Sequence, residues 1–167
     1  MPALYPQVER LRVARDRLVR LRAKLEMSPD PPEESPRTRE WVARETMAHI
    51  VEMLPYWQGE IERIVAGPGE SVQFGRGPAD LIRIMTVDRD RTLPVAEMYV
   101  RLDHSIERLV RRLLELDDRQ CARHGLHRTR GDMAVRQVVE EMLAVHLEEH
   151  CDQMAALLAT PEATPGS

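Results

Sequence analysis

The chain has 167 residues with 43% hydrophobic and 31% charged side chains, which suits one globular domain with a core built without disulfides. Net charge is −4 and aromatics make up 4%, so there is neither a basic excess for phosphates nor the stacking surface that nucleic-acid bases need. The N-terminus is charged from the start, with no apolar stretch of the kind a signal peptide carries, and no apolar run reaches the ~18 residues of a membrane span. Cys121 and Cys151 are too few for a disulfide framework. They read as free thiols in a reducing cytoplasm. We therefore expect a cytoplasmic protein with a small-molecule substrate, no nucleic-acid partner and no membrane association.

Four amphipathic helices are predicted. The first covers about Tyr5 to Met27, with Leu11, Ala14, Leu18, Leu21 and Leu25 on one stripe. The proline-rich segment Ser28 to Arg37 stops it. The second covers about Thr38 to Ala66, with Val42, Ile50, Met53, Trp57, Ile61 and Ile64 on a broad face. Pro55 predicts a kink or a break inside it, Gly67 a C-cap and Pro68 a stop. Residues 67 to 89 form a long connection, in which Leu81 to Val87 suits either a short helix or an extended piece.

The third helix covers about Leu93 to Leu116, with Val95, Met98, Leu102, Ile106, Leu109 and Leu113 on one side. A polar loop with room for one helical turn follows. The fourth helix begins near Ala134, with Asp132 as its predicted N-cap, and runs to about Ala159. Residues 160 to 167 are expected to fray. With no strand pattern, the reading is all-α: a four-helix bundle in one domain over residues 1–167, its core at about 5–158, with a long crossover between helices 2 and 3.

Chemistry concentrates in the histidines. His146 and His150, in AVHLEEHCDQM, are four apart and so share a helix face, a spacing that lets two imidazoles hold one cation. Counted from Val135 at about 100° per residue, they fall near 20° and 60°, among Val135, Val139, Met142, Leu143 and Leu157. This places them at the centre of the apolar face. Two buried imidazoles without partners are costly, and a shared metal removes that cost. The alternative is a pair of core histidines hydrogen-bonded to neighbours.

HLEEH lacks the glutamate that follows the first histidine in zincins. No Glu stands three residues before His49, His146 or His150, so ferritin-like di-iron chemistry is also excluded. His49 is the candidate third ligand, because it flanks the apolar face of the second helix. His104 reads as a surface residue, and His124 and His127 read as surface loop residues. Cys151 points away from His150.

The segments WVARETMAHIVEMLPYW and HRTRGDMAVRQVVEEMLAVHLEEHCDQM resemble the DinB/YfiT-like superfamily: a Trp, an inward His and a later aromatic on one helix, then a Gly-containing turn and His-x3-His on the last. The resemblance covers roughly residues 5 to 158. It implies a four-helix bundle, often a homodimer, with His49, His146 and His150 holding one divalent metal such as zinc or nickel. It also implies thiol-dependent transferase or isomerase chemistry with a low-molecular-weight thiol as co-substrate. The sequence-level expectation is S-transfer by a metal-activated thiol. The alternatives are a hydrolase using metal-bound water and a non-catalytic, metal-stabilised interaction bundle. Glu45, Glu149 and Gln153 are candidates to orient the ligands.

Overall fold

In the computed structural model, which describes residues 1–68 and 72–159, the order is α1 (Tyr5–Glu26), α2 (Ala43–Ala66), β1 (Gln73–Phe74), α3 (Leu81–Asp90), α4 (Val95–Glu115) and α5 (Asp118–Cys121). Then come β2 (His124–His127), β3 (Gly131–Ala134), α6 (Val135–Val138), a π-helical segment (Val139–Val145) and α7 (His146–Leu157). The last three are one continuous helix. The four long helices are thus α1, α2, α4 and this composite. The expected frayed tail at 160–167 lies outside the described residues.

Directions follow from which residues meet. Arg10 bonds Glu148 and Arg17 bonds Asp152, so α1 and α7 run parallel. Arg15 bonds Asp103 while Tyr99 Oη donates to Leu18 O, so α1 and α4 are antiparallel. β1, after α2, pairs in parallel with β2, after α4, which puts the C-termini of α2 and α4 at one end. The connection between them therefore joins two parallel helices, and α3 runs back along α2 to make the return. This is the crossover the sequence led us to expect. No helix of the described residues is long and apolar enough to cross a membrane.

The core follows the predicted stripes closely. Leu11, Ala14, Leu18 and Leu25 of α1, Ile50, Met53, Ile61 and Ile64 of α2, and Leu102, Leu109 and Leu113 of α4 are buried. Two points about α2 bear on the expectation: where it starts, and that it has no break. It begins at Ala43, because the carboxylate of Glu45 accepts from Val42 N at 3.0 Å and so satisfies a donor that no helical carbonyl reaches. It then passes through Pro55 unbroken. Proline costs a helix one hydrogen bond, and here the burial of Met53, Leu54 and Trp57 on either side offsets that cost.

The polar connections contain structure that the sequence reading lacked. Gln73–Phe74, His124–His127 and Gly131–Ala134 form a three-stranded sheet in the order β1-β2-β3, with β2 and β3 antiparallel. The strands are too short for an alternating pattern to register. Asp132 lies in β3, where it meets His124 Nδ1 at 2.6 Å. It is not the N-cap, and Ala134 occupies that position.

The Pro-rich loop before α2 is held by charge. Glu45 is fully buried and takes Arg39 through both oxygens, at 2.6 and 2.8 Å, and Arg91 at 3.0 Å. Arg91 also reaches the carbonyls of Pro32 and Glu34. Replacing Glu45 by Ala leaves two largely buried guanidiniums without their carboxylate. It should lower unfolding stability by about 3 kcal/mol, read as a lower urea midpoint with unchanged slope.

Candidate metal centre

α2 and α7 bring three imidazoles together. His49 of α2 is 2% exposed, and His146 and His150 of α7 are partly buried beside it. One ring nitrogen from each lies within 4.8 Å of the other two. The ring centroids are 4.6 Å apart for His146–His150, 4.8 Å for His49–His150 and 5.8 Å for His49–His146. His146 Nε2 and His150 Nε2 approach to 2.7 Å. The histidines that the sequence singled out are therefore the ones the fold assembles.

The route by which α7 presents them was not foreseen. The predicted face continues through Val135, Val139 and Met142 to His146 and His150. In the structure the buried stripe of α7 is instead Leu147, Cys151 and Met154. The π segment between Val139 and Val145 closes i→i+5 bonds, and the apolar repeat resumes one residue late. His146 and His150 therefore stand beside the core stripe, turned toward α2, and Leu157 is 44% exposed. Cys151 packs on α1 with its Sγ 3.4 Å from Ala14 O, and burial pushes its thiol up to about 11. It is neither a ligand nor a nucleophile.

Two of the rings have a polar neighbour at Nδ1. His150 Nδ1 donates to Gln153 Oε1 at 3.0 Å, which leaves Nε2 as a bare lone pair. His49 Nδ1 is 3.4 Å from Glu52 Oε2, a long ion-pair contact without hydrogen-bond geometry. Glu52 is also gripped by both terminal nitrogens of Arg76. Burial opposes ionisation of the Glu52 carboxyl, yet His49 and Arg76 carry it below the usual carboxylate range. Of the three residues expected to orient ligands, Gln153 does so. Glu45 serves the loop and the helix start, and Glu149 is exposed without a contact to the histidines. The sequence reading missed Glu52, although its i,i+3 spacing from His49 was a usable signal.

Burial also holds the three imidazoles neutral. Desolvation, followed by mutual repulsion, lowers His146 to about 3. Desolvation and the His49 charge lower His150 to about 4, and His49 is lowered chiefly by burial. Neutral imidazole is the ligand form. The converging lone pairs and the carboxylate behind His49 are the donor set of a three-His cation site. Among the described residues no other His, Cys, Asp or Glu joins the cluster, which leaves a coordination position open.

Beside the cluster lies a cavity of about 280 Å³, lined by His49, His146, Trp57 and Met142 together with Arg76, Arg83, Arg130 and His127. His127 corrects the sequence reading, because it is 4% exposed in β2 and is not a surface loop residue. It stacks on Trp57, and its Nδ1 accepts the backbone N–H groups of Thr129 and Arg130, both at 3.2 Å. Its proton therefore sits on Nε2. Gly75 makes room for it: at φ 81°, a Cβ there would lie 2.3 Å from the ring. His104 is exposed and His124 half-buried against Asp132, both outside the cluster.

Fold and site together define a DinB-like helical bundle with a candidate three-histidine centre. Residues 11–148 match the family described as the mycothiol maleylpyruvate isomerase N-terminal domain, and the chain belongs to that family. The family is a member of the DinB-like superfamily, which agrees with the resemblance seen in the sequence, and is associated with mycothiol-related enzymes. No curated protein and no solved structure matches the chain significantly.

The depressed histidines predict how metal-free protein responds to acid. A histidine with a folded pKa below its unfolded value is protonated first in the unfolded chain. His146, His150, His49 and His127 all have the same sign, so their effects add. Stability should be flat above the ordinary histidine range, near pH 6.5, and fall steadily below it. Urea midpoints at pH 7.5, 6.5 and 5.5 measure this. A His146→Gln variant should show a shallower decline.

Proposed function

We propose that this chain is a divalent-metal-dependent enzyme that uses a low-molecular-weight thiol in an S-transfer or related reaction on a small electrophile, with His49, His146 and His150 as the metal ligands. The observation that carries the reading is the convergence of three neutral imidazole nitrogens at the edge of a cavity. The family description supports the thiol, since it names mycothiol. Zinc and nickel both suit an all-imidazole set.

A cation bound there supplies Lewis acidity that favours the thiolate form of a coordinated thiol at neutral pH. The chain's own residues do the rest. Gln153 fixes the His150 ring through Nδ1, so Nε2 is the nitrogen it offers, and Glu52 stands behind Nδ1 of His49. Arg76 keeps Glu52 ionised. Trp57 and Met142 line the cavity with apolar surface that limits water near the reacting groups. The cavity favours an enzyme over a bundle whose metal is purely structural, because a structural site closes its coordination sphere with protein.

Purified protein without a metal-binding tag should carry about one zinc or nickel per chain, and His146→Ala should carry almost none. A full equivalent in that variant overturns the ligand assignment. Glu52→Gln should keep the stoichiometry while weakening affinity about 10- to 100-fold, measured by competition with a chromophoric chelator. Turnover of an electrophilic substrate that requires added thiol supports transfer. Equal turnover without thiol points to hydrolysis instead.

A further inference from the structure

The cavity beside the histidines has an unusual charge make-up. Arg76, Arg83 and Arg130 line it, and no carboxylate does. Two of these cations are already neutralised: Arg76 by the two oxygens of Glu52, and Arg130 by Glu141 at 2.9 Å on the exposed side. Arg83 is different. It projects from α3 with its guanidinium about 5.6 Å from the centre of the Trp41 ring, one Nη bonded to the carbonyl of Pro78. Among the described residues no carboxylate forms a salt bridge with it, although Glu52 and Asp80 favour its charge from farther off, and its buried Nε has no hydrogen-bond partner. Burial, and then the charge of Arg76, work against its ionisation.

A partly buried guanidinium without a counter-ion is held at a cost that an anion in the same cavity would remove. Three further features suit such a ligand. The space is too small for a macromolecular chain but ample for a compound of a few carbons. The two flanking arginines raise the local positive potential even though their charges are paired. His127 adds an Nε2–H to the wall with no acceptor among the described residues.

We propose that Arg83 is the anchor of an anion subsite, which holds a carboxylate of a small ligand against the cavity wall beside the three histidines. The subsite deepens the enzymatic reading, because it would orient an anionic substrate next to the open coordination position. It rests on that reading for its catalytic meaning but not for the binding itself. The flat donor edge of a guanidinium meets the two oxygens of a carboxylate through parallel hydrogen bonds.

The test uses the intrinsic fluorescence of the two tryptophans, Trp41 beside Arg83 and Trp57 on the cavity wall. The full chain is titrated with succinate, dimethyl succinate and inorganic phosphate at fixed ionic strength, both as zinc-loaded protein and after metal removal. Succinate should bind in both forms, more tightly than phosphate, and the diester should not. Arg83→Gln should weaken succinate by about tenfold or more, the loss expected for one charge-assisted contact, with zinc stoichiometry and urea midpoint unchanged. Arg83→Lys should recover part of the affinity. Equal succinate affinity in Arg83→Gln, or a diester that binds as well as the diacid, overturns the subsite. Phosphate that binds more tightly than succinate overturns the carboxylate assignment. A chain that binds zinc but no succinate also overturns the subsite and leaves the metal reading standing. Succinate bound through Arg83 in a chain that takes no zinc upholds the subsite and removes the metal reading alone.

Discussion

The last helix has to meet two neighbours with two kinds of side chain. Toward α1 it must present an apolar stripe, Leu147, Cys151 and Met154, or the bundle opens. Toward α2 it must present two imidazoles one turn apart. A regular α-helix continuing from Val135 and Val139 would carry His146 and His150 into the stripe itself and displace the packing residues. The π segment resolves the conflict. One extra residue in the turn shifts the phase, so the apolar repeat resumes at Leu147 and the histidines fall on the flank. A π turn is rarer and less well bonded than an α turn, and is often found where function needs a side chain re-aimed. Here the re-aimed side chains are the histidines.

The same economy operates on α2. Glu45, His49 and Glu52 are spaced by four and three and so occupy one face. The two carboxylates do separate work. Glu45, at the helix start, closes the first turn and binds Arg39 and Arg91, which tie the Pro-rich loop and the start of α4 to α2. Glu52 sits one turn past His49 and passes the charge of Arg76 toward the imidazole. Both are ionised against burial, each by arginine, so the face is a polar strip inside an otherwise apolar core. His49 lies between the Trp41 ring, 5.1 Å away, and the carboxylate of Glu52.

The sequence exposed the long helices because each offers four or more turns of apolar repeat, His146 and His150 because i,i+4 spacing survives any helical phase, and His49 because it flanks the apolar face of its helix. Two kinds of feature were out of reach. Strands of two to four residues, such as Gln73–Phe74 and Gly131–Ala134, give too few alternations to stand above the loop around them. His127 was therefore read as a surface residue, although its neighbour Gly125 packs so closely on Phe74 and Ile64 that β2 must be tight against the bundle. The π segment was out of reach for a different reason. Its sequence, VEEMLAV, contains good helix formers throughout, and helical phase is set by packing at both ends rather than by local preference. The helical spacing was right that His146 and His150 share a face and wrong that this face is the apolar stripe of Val135 and Val139.

Electrostatics then orders the parts of the site. Three neutral imidazoles add no charge of their own, and the nearest carboxylate, Glu52, is cancelled by Arg76. The remaining field in the cavity comes from arginine, in a chain whose overall charge is −4. A dication at the histidines would deepen that positive potential, and the cavity offers no acidic side chain to balance it. Under the proposed function, the balancing charge would come from what enters: an anionic thiolate, an anionic substrate group, or both. The two demands can be met in different places, the thiolate at the open coordination position and the substrate anion at Arg83. Under the same proposal, a cavity lined by arginine and lacking carboxylates would favour two negative ligands held at separate places until they react.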